Sequence, residues 1–141
     1  MMTSAQTLQR ARVLAVLAGA MDFGTGLGMV FLPSFTLKLM MVPVPEGDGL
    51  LYARFVGAFV GAVGFSYLWA LLSGVGAERG RALRAVLRFT IPFRVAAGSF
   101  CLAAVIGGAL APMWLSVTLA DYGLVALQTW LLRGSWEEGA V

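Results

Sequence analysis

Residues 82–108 read ALRAVLRFTIPFRVAAGSFCLAAVIGG. Arg94 stands well inside an apolar run long enough to cross a bilayer as a helix, which takes about 20 mostly apolar residues. A charge left alone at the centre of a span costs roughly 2.5–3.5 kcal/mol, so this guanidinium calls for a partner. Other apolar runs supply candidates: Asp22 in the first and Asp121 in the last each stand near a midpoint, and Arg54 opens another. Spans are expected at about 13–32, 50–72, 84–108 and 113–132. The expected fold is all-α: one domain over residues 1–141, an antiparallel bundle of four transmembrane helices.

Composition agrees with the membrane reading. The chain is 60% hydrophobic and 12% charged, whereas soluble domains are about 25% charged. A net charge of +3, dispersed along the chain, gives no footing for nucleic acid. Cys101 is the one cysteine, which excludes an intrachain disulfide and a CxxC pair. The absence of histidine excludes histidine haem ligation, a histidine zinc site and a Ser-His-Asp triad within the chain. No metal site and no resident cofactor are therefore expected. The stretch GTGLG at 24–28 follows no strand and lies in an apolar run, so a nucleotide-binding reading fails on context.

In chain order, Arg10 and Arg12 precede an apolar stretch with Ala18-Gly19-Ala20, which imitates a signal peptide. The apolar character continues to Leu32, so an uncleaved first span is expected. Ala15, Ala18, Gly19, Asp22 and Gly26 recur at helical steps and form a narrow face of small side chains. Pro33 ends the run, and residues 34–41 (SFTLKLMM) are too short to span and suit a helix lying in the membrane interface. In the second span Arg54, Gly57, Gly61 and Gly64 share a face, with Gly57-x-x-x-Gly61 a close-packing motif. Tyr67 and Trp69 are read as an interfacial aromatic belt, and Trp114 and Trp130 as interface anchors or core.

Residues 73–88 are read as a basic connection that carries Arg79, Arg81, Arg84 and Arg88, with the third span beginning inside it. Pro92 removes a backbone donor, and Thr90 is expected to serve groups freed there. Gly98, Cys101, Ala104 and Gly108 continue a small face from Arg94, and Cys101 is read as packing. The fourth span has the most polar face, with Trp114, Thr118, Asp121, Val125 and Gln128. Residues 135–141 (SWEEGAV) are expected to fray. Basic residues gather at the N-terminus, in the second connection and at Arg133, so the positive-inside rule places both termini in the cytoplasm.

Asp22, Arg94, Asp121 and Arg54 form the candidate charge cluster, structural or binding. Arg94 is expected to reach Asp121 or Asp22, while Arg54, close to an interface, is expected to snorkel. Gly57, Gly61 and Gly64 are the candidate packing residues.

The order of these features resembles small bacterial four-helix membrane proteins of the DoxX-like kind. The shared pattern is a first span closed by Pro33, a short interfacial piece, Arg54-x-x-Gly57 opening a glycine-rich span with Gly64 and Tyr67, then Arg94 and Asp121. The resemblance implies a bacterial inner-membrane protein, in some relatives a subunit linked to quinone-coupled sulfur or thiol redox chemistry. One cysteine and no histidine depart from that chemistry, so a redox centre would come from a partner or a bound quinone. The leading expectation is a non-catalytic membrane subunit or accessory protein that packs against itself, as a homo-oligomer, or within a larger complex. The alternatives are a binder or carrier of a quinone or lipid held by the central charges, and a small proton- or ion-coupled transporter. An enzyme ranks last, since no nucleophile–base arrangement is visible.

Overall fold

The computed structural model describes residues 3–136, and all regular structure among them is helical. The elements are α1 (Ser4–Phe31), α2 (Pro33–Leu39), α3 (Asp48–Leu72), α4 (Ala77–Ile106) and α5 (Leu115–Leu132), the last preceded by a 3-10 turn at Pro112–Trp114. Four of these helices are long and apolar enough to cross a membrane. The expected frayed tail falls largely on residues 137–141, outside the described residues.

α1 begins well before the expected Val13. Thr3 accepts a hydrogen bond from the Gln6 backbone N–H, and the Gln6 side chain accepts one from the Thr3 N–H. This capping box satisfies two donors at the helix start and is written in the sequence as Thr3-x-x-Gln6. At the other end Pro33 holds Leu32 out of the helical region (φ −131°, ψ 54°) and then opens α2, where its missing N–H costs nothing. α2 folds back on α1: Thr36 lies against Gly28, and Leu37 is buried with Met29 and Val42.

The basic connection is shorter than the sequence reading had it. Only residues 73–76 link α3 to α4, with Gly74 (φ 66°) and Gly76 (φ 55°) in the left-handed region that glycine tolerates. Residues 77–88 (AERGRALRAVLR) contain no proline and are rich in strong helix formers, so α4 starts about two turns before the expected residue 84. Arg79, Arg81, Arg84 and Arg88 therefore ride on a helix. Arg79 turns back to donate to the Gly74 carbonyl at 3.0 Å.

α1 packs chiefly against α3, and α4 against α5. Gly19 lies beside Leu68, Phe23 beside Gly64, Gly26 beside Gly61 and Met29 beside Gly57. Numbers rise along α1 as they fall along α3. Two apolar clusters result. One joins Ala11, Ala15 and Ala18 to Ala70, Leu83, Leu87 and Leu131; the other joins Met29, Leu37 and Val42, with Ala53 and Trp114 packed on it. Between them lies a polar layer. On the outside, large apolar side chains stand exposed along every long helix, among them Leu17, Phe59, Phe100 and Leu119.

Candidate functional site

Arg94 is only 4% exposed and is held by groups from three other helices. Its Nη2 donates to Asp22 Oδ2 on α1, and its Nη1 donates to Asp121 Oδ1 on α5 at 2.8 Å. Its Nε donates to the Tyr67 hydroxyl on α3 at 3.3 Å, and the guanidinium lies 5.6 Å from the centre of the Tyr67 ring. Of the two partners expected, the structure gives Arg94 both at once. Asp22 and Asp121 are themselves buried.

A second tier adjoins the ion triad. Tyr67 is fully buried, and its hydroxyl is 2.7 Å from Thr90 Oγ1. Thr90 donates to the Val86 carbonyl at 2.8 Å, so the Tyr67 hydroxyl supplies the proton between them. The Gln128 amide nitrogen donates to the Tyr67 hydroxyl and, at 3.0 Å, to Thr90 Oγ1. Gln128 Oε1 is buried without a hydrogen-bond partner. Nearby, Thr118 donates to the Gly98 carbonyl at 3.0 Å and ties α5 to α4 beside Asp121.

Three expectations need correction. Arg54 is not part of the cluster: it is exposed and donates to the Val30 carbonyl at 2.6 Å. Val30 lies in the last turn of α1, where carbonyls lack helical partners and a cation is favourable, so Arg54 caps α1. Tyr67 is not a belt residue, although its neighbour Trp69 is 60% exposed. It continues the buried face of Gly57, Gly61 and Gly64 by one more three-residue step, which is the signal that could have found it. Thr90 does not serve the carbonyl freed by Pro92, because its hydroxyl is committed to Val86, Tyr67 and Gln128.

Gly57, Gly61 and Gly64 are buried where α1 and α3 touch. A Cβ on Gly64 would overlap the backbone of Asp22 and Phe23, and one on Gly26 would overlap Gly61. The glycine contact is therefore what brings Asp22 close to α3 and holds it at the height of Arg94. Cys101 is buried on α4.

Chemically, the site sets one guanidinium between two carboxylates, which leaves one formal negative charge if both are ionised. Among the described residues, no group of three or more His, Cys, Asp or Glu side chains is placed to hold a metal ion. Comparison with protein-family models, with curated proteins and with solved structures finds no match for the chain.

Proposed function

We propose that this chain is an integral membrane protein of four spans, an antiparallel bundle in the bacterial inner membrane with both termini cytoplasmic. In this reading it is non-catalytic and acts as a subunit or accessory protein through its packed helices. The membrane part is supported by the exposed apolar surface on all four long helices, far more than a protein in water leaves uncovered. The structural role is supported by one observation: Arg94 takes a partner from each of the other three long helices. An arginine shared in this way, with each of its three nitrogens donating to a different helix, fixes helix register. Kinship with the DoxX-like family belongs to the same proposal and rests on the order of features along the chain.

Thermal unfolding of the detergent-solubilised protein tests the structural role. Arg94→Met strands two carboxylates and should cost about 3–5 kcal/mol, as for breaking a buried pair. Asp22→Asn or Asp121→Asn leaves Arg94 one carboxylate and should cost less. Combining all three substitutions should recover much of the Arg94→Met loss. A parental unfolding midpoint for Arg94→Met would end the structural reading.

The charge count favours a second reading, a small proton- or ion-coupled transporter. Two carboxylates on one guanidinium are neutralised by one proton or one monovalent cation. Under that reading proteoliposomes of the parent carry a proton or cation flux, and Asp22→Asn or Asp121→Asn abolishes it while the fold survives. Silent parental proteoliposomes would remove it.

A further inference from the structure

The charges of the central triad do not balance. Asp22 and Asp121 bring two carboxylates to a layer where Arg94 brings one guanidinium. Both bind nitrogens of the same planar fork, so they stand close to each other. The other titratable groups that face them are Tyr67 from α3 and Cys101 from α4. A hydroxyl and a thiol bear no positive charge in any protonation state. Among the described residues, α1 and α5 present no titratable group there besides the two aspartates. Each carboxylate spends one oxygen on Arg94. Asp22 Oδ1 and Asp121 Oδ2 have no hydrogen-bond partner among the described residues, although the two residues are only 8% and 9% exposed.

We infer that the triad is a proton-binding site: Asp22 and Asp121 share one proton, carried on one of these two free oxygens, and the folded site is neutral. The inference rests on the four-span reading above and names the ligand that the charge count there left open. An unbalanced charge inside a span is costly, and two carboxylates that share a site resist ionising together. The donor set decides between a proton and a metal cation. Hard cations gather about six or more oxygen ligands. Here two carboxylate oxygens are free, and the Tyr67 hydroxyl beside them is engaged, accepting from Arg94 and Gln128 and donating to Thr90. A proton needs a single lone pair, which either free oxygen supplies. The shared proton also explains how one guanidinium serves two carboxyl groups without leaving a net charge in the layer.

Infrared spectroscopy of the full chain tests the site in dodecyl maltoside, a detergent without a carbonyl. A protonated carboxyl gives a C=O stretch above the amide bands, and the stretch moves down on exchange into deuterium oxide. At neutral pH the parent should show this band at the intensity of one carboxyl per chain, equally in sodium, potassium or choline chloride. Labelling the aspartate carboxyls with carbon-13 should shift it; Asp48, the other aspartate of the chain, is exposed. Asp22→Asn should abolish the band, and so should Asp121→Asn, because Arg94 balances the carboxylate left behind. Asp121→Glu should keep it. A parent without the band would overturn the proposal, as would a band that survives either asparagine substitution. A band that appears only when choline replaces sodium and potassium would give the place to a metal cation. Where an asparagine variant loses its helical circular dichroism, the labelled parent decides alone. A missing band leaves the four-span reading standing, since topology reporters test that separately.

Discussion

The Tyr67 hydroxyl answers to three side chains at once. It accepts from Arg94 and Gln128 and donates to Thr90, all inside a layer that water does not reach. Tyr67→Phe keeps the ring and removes that junction, leaving donors on Arg94 and Gln128 unserved. The expected cost is about 1–3 kcal/mol, the desolvation penalty of orphaned buried groups, read as a lower unfolding midpoint in detergent. An unchanged midpoint would mean that the second tier contributes nothing to the fold. The triad was legible in the sequence because a charge in an apolar run announces itself: Asp22, Arg94 and Asp121 break otherwise uncharged stretches. Tyr67 is the residue whose place the run hides. Nearness to the end of a run suggests shallow depth, whereas burial is set by which helix face the residue occupies and by what the next helix places there. Tyr67 sits five residues from the end of α3 and is fully buried, because Thr90 and Gln128 converge on it from α4 and α5.

Between elements, the closest approach is α1 on α3, and a single methyl group is enough to probe it. Gly64→Ala and Gly26→Ala would each press a Cβ into backbone and should lower stability by about 1–3 kcal/mol, as overpacking does. Gly61→Ala should be nearly neutral, since its Cβ would stand 3.5 Å from the Gly26 Cα, an ordinary contact. Gly61→Leu is too large for that space and should be harmful. Unfolding midpoints of the four variants check this order, and a loss at Gly61→Ala equal to that at Gly64→Ala would show that the helices are spaced differently. The periodicity of Gly57, Gly61 and Gly64 tells that a close face exists. It does not tell at which glycine the neighbour's backbone crosses, because that depends on the register of α1, fixed by contacts far away in the chain. The same limit applied to residues 73–88. Charge suggests a loop there, while the absence of proline between Gly76 and Arg88 lets the helix run on through Gly80.

For the whole molecule, all the arginines except Arg54 and the central Arg94 collect toward one end, where the start of α1 meets the start of α4 and the end of α5. The connection between α2 and α3 lies at the other end and holds Glu46, and Asp48 opens α3 beside it. A reporter fused to the C-terminus should therefore read cytoplasmic, and one inserted at Gly47 should read external. The reverse pattern would sink the proposed orientation. The pairing of helices also bears on how such a chain enters a bilayer during synthesis. α4 and α5 carry Arg94 and Asp121 and are joined by residues 107–114, which bear no charge. In the proposed membrane topology they would leave the translocon together as a hairpin and would enter lipid already neutralised across their own interface. Asp22 has no such companion, since its neighbour α3 offers glycine backbone at that height. In that topology the order of translation would deliver the unprotected carboxylate first, and the guanidinium that answers it would arrive only with α4.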